Sequence, residues 1–450
     1  MHWIINRLSN FADAQALIFG DSVVTYSELH NKIQDWVGFF EQHNLPRGAV
    51  VSIEGNWSST TCALLLALVN NGNIVVPICG VPETKLNDFL DIAKAQYRLL
   101  PALENAPEAE WEMQATGRQA NHPFYSQLHS DTHAGLVLFS SGTTGRPKAS
   151  VLDFNKLLDK HQAMRQTRRT LAFLSLDHIG GINTLLHTIS QGGALITVTE
   201  RTPDTVFAAI ERWQVQVLPT TPTFLNMMLI SKVITRYDIS ALNLITYGTE
   251  PMPPVTLRKL SELLPQVQLK QTYGLSEVGI LPTKSRSSSD LWIKLGNSGF
   301  AHKIIDNILW IKSDSAMLGY LNANSPFDEE GFFNTQDVVE VDGDYVKILG
   351  RRSEIINVGG EKVYPSEVED VILQAGNVAD VTVMGFPNPV MGMVVKAIIL
   401  PMTTEDPSVQ RARIKAHCNT LLEGFKVPML IEISDHAHHS SRFKKIRAAL

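Results

Sequence analysis

"LVLFSSGTTGRPKA", residues 136–149, decides how this 450-residue chain folds. Four apolar residues stop abruptly at Ser140, and a run of small hydroxyl residues and glycines follows, with Arg146 and Lys148 at its far side. The apolar run reads as a buried strand. The Ser140-Ser141-Gly142-Thr143-Thr144-Gly145 run reads as a loop at its carboxyl end, where ligands gather in helix-covered sheets. Backbone N–H groups, four hydroxyls and close-approach glycines suit phosphate oxygens, and the two cations would neutralise a polyphosphate. A P-loop of the form G-x-x-x-x-G-K-[ST] cannot be placed here, because Pro147 precedes the lysine. A serine- and threonine-rich surface turn is the alternative at this point.

Outward from the loop, helix and strand signals alternate. "TYSELHNKIQDWVGFF" opens with a capping box, Thr25 to Glu28, and carries Leu29, Ile33, Trp36, Val37 and Phe40 on one helical face. "AVVSI" and "IVVPI" read as strands around the helix "TTCALLLALVN", and "DTVFAAIERWQ", "VQVLP", "TFLNMMLI", "LNLITYG", "PPVTLRKLSELL" and "VQLKQTYG" continue the pattern. Such alternation implies mainly parallel sheets covered by helices. After Leu291 the chain becomes β-rich and hairpin-like, and from near Arg352-Ser353 a small α+β unit follows, in which "PSEVEDVILQAG" reads as a capped helix. The expected fold class is therefore α/β: a large domain over residues 1–352, with a β-rich segment, and a small mobile α+β domain over 353–450.

Composition bounds the function. Hydrophobic content of 44% with 19% charged residues is that of a soluble globular enzyme. A net charge of −6 argues against a general nucleic-acid binder. Cys62, Cys79 and Cys418 show no metal or redox spacing, which points to a reducing, cytoplasmic setting. The most apolar stretch, "CALLLALVNNGNIVVPICG", is interrupted at 70–73 and is too short on either side to span a bilayer.

In its order of motifs the chain resembles the acyl-adenylate-forming (AMP-binding) enzymes: acyl- and aryl-CoA synthetases, luciferase and peptide-synthetase adenylation domains. "FSSGTTGRPKA" is similar to their phosphate loop. "QTYGLSE" (271–277) resembles their aromatic-Gly-x-Thr-Glu segment, with Ser276 in the Thr position. "TQDVVEVDGDYVKILGRRSEIINVGGEKVYPSEVE" and "FKKIRAAL" resemble the segments around the domain boundary and the catalytic lysine, and in scale the chain is closest to compact CoA ligases.

The resemblance implies ATP and Mg²⁺ as cofactors. Ser140, Ser141, Gly142, Thr143, Thr144, Gly145 and Lys148 would hold phosphates, and Glu277 and Thr144 the metal. Gly248, Thr249 and Glu250 would line the adenine pocket, with Tyr273 stacking on the base and Ser276 beside it. Asp337 would accept the ribose hydroxyls and Arg351 would reach ribose or α-phosphate. Lys444 would be the adenylation lysine, with Lys445 the competing register; Arg447 and Leu450 fall at the expected offsets only from Lys444. Gly359-Gly360 would line the path of a pantetheine arm, a hairpin turn being the competing reading. The chain departs from the family pattern at Ala149, Thr249-Glu250, Gln336, Ser353 and Phe443.

"LSLDHIGGINTLL" resembles the floor of the acyl pocket, with His178 gating the carboxylate. Ile179 stands where amino-acid-activating relatives have an Asp, and a buried ammonium without counter-charge is costly, so an apolar or aryl carboxylic acid is expected rather than an α-amino acid. The acceptor is CoA or the phosphopantetheine of an acyl carrier protein. Other readings are a non-catalytic adenylate binder, a kinase or ATPase, and a metal site at "HAHH" (436–439). No nucleic acid and no membrane span are expected.

Overall fold

The computed structural model describes residues 2–102, 110–140, 147–296, 299–436, 438–440 and 443–447. Among the described residues, two seven-stranded sheets, one six-stranded sheet and one two-stranded sheet make up the chain to residue 351, and a five-stranded sheet the rest. In the first sheet the strands run, in space, Gln268–Gln271, Leu244–Tyr247, Val217–Thr220, Arg169–Leu171, Ala194–Thr197, Gln15–Phe19 and Ser22–Thr25, all parallel except the last pair. The second places Ile74–Ile78, Val50–Glu54 and Tyr97–Pro101 parallel beside the opening strand, Gly135–Ser140, and closes its edges with antiparallel neighbours. Strands buried on both faces carry continuous apolar runs, which is why "IVVPI" is wholly interior.

The expected capping box is present: the Thr25 side chain accepts from the Glu28 N–H and the Glu28 carboxylate accepts from the Thr25 N–H. The longest apolar stretch is the helix Ser59–Asn70, a turn with Gly72 at φ +77°, and the strand from Ile74. Asn73 is fully buried there, its amide donating to Pro46 O at 2.9 Å and Ala49 O at 3.2 Å. A buried polar side chain is tolerated because it is satisfied. Among the described residues no helix is long and apolar enough to cross a membrane.

Three details differ from the sequence reading. The antiparallel region begins with Thr283–Ser285, before Leu291. "VQLKQTYG" is not one strand: it breaks at Thr272, whose N–H and hydroxyl both donate to Tyr247 O, and Tyr273–Leu275 pairs instead with Gly279–Leu281. The helix Pro365–Ile372 has no side-chain cap. Pro365 opens it with a preset φ, and the Ser366 hydroxyl donates to Leu349 O.

A short 3₁₀ turn, Arg352–Glu354, leads into the last sheet, which packs its own core with the helices Pro365–Ile372 and Pro407–Leu421. This unit rests on the first sheet's helices. Val255 joins its core and donates its N–H to Asp370 Oδ1 at 2.7 Å, and the Asn226 amide donates to Ala379 O at 2.7 Å.

The helix Ile179–Ser190 starts hard against the loop before it. A Cβ on Gly181 would lie 2.0 Å from Ser175 O and 2.9 Å from Leu174 O, both backbone. Gly181→Ala is therefore expected to push the start of this helix outward and lower stability by about 1–3 kcal/mol, the usual range for overpacking. Chemical denaturation measures it. An unchanged midpoint would show that the loop moves freely.

Candidate active site

The parallel strands Leu244–Tyr247 and Gln268–Gln271 end in register, Tyr247 beside Gln271. The chain continues from them as Gly248-Thr249 and Thr272-Tyr273, and a Cβ on Gly248 would sit 2.7 Å from Thr272 O. Only glycine allows the two backbones to approach this closely. An open cleft of about 140 Å³ lies here, lined by Gly248, Tyr273, Asp337, Arg351, Lys444 and Lys445 among others. It lies at the carboxyl ends of parallel strands, as the alternating pattern predicted.

One wall is a trio joined by one hydrogen bond and one ion pair. The Tyr273 hydroxyl donates to Asp337 Oδ2 at 2.5 Å, and Arg351 Nε stands 3.5 Å from Asp337 Oδ1, Asp337 and Arg351 being cross-strand partners. Burial raises the Asp337 pKa, while Arg351 and the Tyr273 hydroxyl pull against it. Burial, and then the Asp337 charge, push the Tyr273 phenol well up, so it remains a donor. Gln271 also lines the cleft, and among the described residues its buried amide oxygen has no partner, an acceptor that suits an amine such as that of a purine.

Ser140 and Lys148 are cross-strand partners that bracket the opening loop. The expected phosphate-loop residues Ser141, Gly142, Thr143, Thr144, Gly145 and Arg146 lie outside the described residues, as does Leu450. Lys148 and Glu277 converge on Tyr320: the Lys148 ammonium lies 5.3 Å from the ring centroid, and the Tyr320 hydroxyl donates to Glu277 Oε1 at 2.7 Å. A buried carboxylate and a lysine beside the phosphate-type loop suit a magnesium-bound polyphosphate. Ser276 sits in the turn before Glu277 and is partly buried.

The chain end enters the cleft as a hairpin. Phe443 N–H donates to Ser440 O at 2.9 Å, Ser440 N–H to Lys444 O at 2.8 Å, and Ile446 N–H to His438 O at 3.1 Å. The two candidate lysines both line the cleft but differ in their surroundings. Lys445 Nζ donates to Val381 O at 2.7 Å and pairs with Glu369 at 3.1 Å and Asp380 at 3.6 Å, inside the small unit. Lys444 also lines a second, small pocket of about 10 Å³, together with Leu174, Ser175, His178 and Arg201. His178 caps the helix Ile179–Ser190, its Nδ1 accepting from the Gly180 N–H at 3.0 Å. With Nδ1 accepting, the ring proton of the neutral form is on Nε2.

Gly359-Gly360 forms the turn between Ile356–Val358 and Glu361–Val363, at φ +60° and +99°, and neither glycine is among the residues that line the cleft. Of "HAHH", His439 stacks on Phe443 at 5.4 Å, and no group of three metal-ligating side chains occurs among the described residues.

Sequence reasoning missed several residues that build this site. Tyr320 joins Lys148 to Glu277 across 172 and 43 positions and leaves no local signal. Arg201 was missed for the same reason. Glu250 and Phe443 carried a signal, since both depart from the family pattern; what they touch was not legible. The Glu250 carboxylate turns from the cleft to bind Thr223 and the Lys445 N–H.

The model of the AMP-binding enzyme matches residues 6–306, and that of the AMP-binding enzyme C-terminal domain matches residues 367–444. A 2-succinylbenzoate–CoA ligase of Bacillus licheniformis is 26% identical over all of this chain and 99% of its own. A feruloyl-CoA synthase of an Amycolatopsis species is 25% identical over 96% of this chain and 94% of its own. Among solved structures, the anthranilate CoA ligase AuaEII in complex with anthranoyl-AMP superposes with a TM-score of 0.84 at 19% identity, covering 98% of this chain and 95% of that one.

The tail is anchored by charge. Glu369, almost fully buried, pairs with Lys445 and at 2.9 Å with Arg447, which also reaches Glu354 at 3.0 Å. Burial alone would raise the Glu369 pKa, but Arg447 and Lys445 outweigh it and hold the carboxyl below its usual range. Glu369→Ala removes the buried carboxylate that two cations share, leaving Lys445 with Asp380 and Arg447 with Glu354, and a loss of about 3 kcal/mol is expected from denaturation. Because the folded pKa is lowered, the wild-type contribution is full above the ordinary glutamate value of about 4.3 and is lost as pH falls through the lower folded value. The stability difference between wild type and variant should shrink in that acid window. A gap that persists through it would contradict the assignment.

Proposed function

The chain belongs to the AMP-binding enzymes, and we propose that it is an acid–thiol ligase that converts a carboxylic acid to an acyl-adenylate with release of pyrophosphate, then passes the acyl group to the thiol of CoA. The carrying observation is the position of Lys444, at the junction of the cleft and the small pocket lined by His178, Arg201 and Leu174.

A carboxylate and a polyphosphate repel, so the site must neutralise charge and align the carboxylate oxygen with the α-phosphorus. Lys148 and the loop 140–145 hold the β- and γ-phosphates. Tyr273, with Gly248, Thr249 and the backbone at Glu250, encloses the base, and Asp337 and Arg351 take the ribose. Glu277 and Thr144 are the residues that would hold Mg²⁺, which when bound offsets phosphate charge. The Lys444 ammonium bridges the acid's carboxylate and the α-phosphate as charge builds, and His178 orients the acid through its Nε2–H. A carboxylate oxygen bonds to the α-phosphorus, the bond to pyrophosphate breaks, and the thiol later displaces AMP at the acyl carbon.

The small unit from residue 353 onward is the part that moves between the two half-reactions, turning about Ser353 so that Gly359-Gly360 faces the incoming pantetheine. The acid is apolar or aryl and not an α-amino acid, because an ammonium in the small pocket would meet Arg201 and Lys444, and Ile179 stands at the sequence position where amino-acid-activating relatives carry an Asp. CoA is favoured as acceptor by the names of the full-length relatives.

The test is pyrophosphate release over a panel of carboxylic acids, with CoA and separately a carrier protein as acceptor, followed by mass spectrometry. Lys444→Ala is expected to lower adenylation by about 100-fold or more, as for other groups that meet developing charge, while thioester formation from a supplied acyl-adenylate is retained. Normal adenylation in Lys444→Ala, or loss of it in Lys445→Ala at unchanged stability, would contradict the assignment.

A further inference from the structure

Two departures from the family pattern, Glu250 and Phe443, lie 193 positions apart and meet at the same ten-residue hairpin. Glu250 follows Thr249, a non-glycine residue held at φ +74°, and its carboxylate works at both ends. Oε1 accepts from the Thr223 N–H at 2.8 Å and from the Thr223 hydroxyl at 2.5 Å, at the first turn of the helix Pro222–Ser231. The first N–H groups of a helix have no partner within it, and a carboxylate there is held by hydrogen bonds and by the helix dipole. Oε2 accepts from the Lys445 backbone N–H at 3.2 Å. One rigidly held carboxylate thus grips the peptide unit that joins Lys444 to Lys445.

Phe443, on the other side of Lys444, is also in the left-handed region at φ +54°. Its ring enters the core of the first sheet, 5.2 Å from Phe173 and 5.9 Å from Phe224, with the Arg201 guanidinium 5.3 Å from its centroid and the His439 ring stacked at 5.4 Å. Phe173 and Phe224 are fully buried. An aromatic side chain that adds itself to a closed core, at a backbone angle that disfavours any residue with a Cβ, is held there by its contacts.

We propose that Glu250 and Phe443 are positioning residues that together dock the chain-end hairpin on the large domain and hold Lys444 at the junction of the two cavities. This rests on the reading of Lys444 as the adenylation lysine, though the docking itself does not. Neither residue reaches the reacting atoms. Their effect is on how much of the time Lys444 is in place, so it falls on the first half-reaction, whereas the second requires the hairpin to leave. The two anchors flank Lys444 in the chain.

The experiment uses the full chain and the variants Glu250→Ala and Phe443→Gly. The second removes a tail side chain and cannot unfold the large domain, which keeps the test valid if the first fails to fold. Hydrogen exchange of the 438–447 peptide, without any substrate, reads docking directly: exchange about tenfold faster or more is expected, the factor one charge-assisted hydrogen bond supplies, with the helix Pro222–Ser231 and the melting temperature little changed in Phe443→Gly. The half-reactions read the consequence. Pyrophosphate-forming kcat should fall about tenfold or more with KM for ATP within about twofold, while thioester formation from supplied acyl-adenylate is unchanged or faster. Unchanged tail exchange, or equal losses in both half-reactions, overturns the proposal. If no acid gives pyrophosphate with the wild type, it is the acid-activation reading that has failed, and the exchange data alone decide the docking.

Discussion

Lys445 is tied to two bodies at once, and the site depends on that. Its backbone N–H is held by Glu250 of the large domain, and its ammonium is buried in the small unit against Glu369, Asp380 and Val381 O. A buried cation with that many partners cannot be displaced without losing several kcal/mol. The neighbouring Lys444 is therefore carried to a defined place, even though it belongs to the end of the chain, where segments without such ties are poorly ordered. Arg447 repeats the arrangement within the small unit, so the pair works as a clamp around Glu369.

The cleft that receives Lys444 is made by sheet geometry. Two parallel strands end together at Tyr247 and Gln271, the backbones close up where Gly248 permits, and the next residues turn outward as its walls. Opposite them, a long antiparallel hairpin brings Asp337 and Arg351 side by side and within reach of the Tyr273 hydroxyl. Charged and polar groups from separate parts of the chain are held together by these hydrogen bonds and ion pairs, which is what electrostatic preorganisation requires. The small unit adds the last component through contacts both polar and apolar, at Val255, Asn226, Glu250 and Phe443.

Much of this was legible in the sequence, for identifiable reasons. The helix from Tyr26 announces itself by a capping box and a 3.6-residue apolar period, and "IVVPI" by a continuous apolar run, both of which act locally. The ordered motifs around Ser140, Tyr273, Asp337 and Lys444 were readable because each combines a backbone demand with a chemical one. Pairings across the chain were not. Nothing near Glu277 points to Tyr320, and nothing near Phe443 points to Phe173 and Phe224, since a side chain that fits a distant core looks locally like any other apolar residue. The choice between Lys444 and Lys445 rested on spacing alone in the sequence; in the structure both line the cleft, and they differ in that the Lys445 ammonium pairs with Glu369 and Asp380 while Lys444 also lines the small pocket beside His178.

The central claim is that carboxylate oxygen attacks the innermost phosphorus of ATP in the cleft that Lys444 closes. The most direct measurement follows ¹⁸O from a labelled acid substrate through one complete turnover with CoA. The account predicts one labelled oxygen in AMP and none in inorganic phosphate. Label in orthophosphate, with ADP as the nucleotide product, would contradict it and assign the chemistry to the terminal phosphate instead.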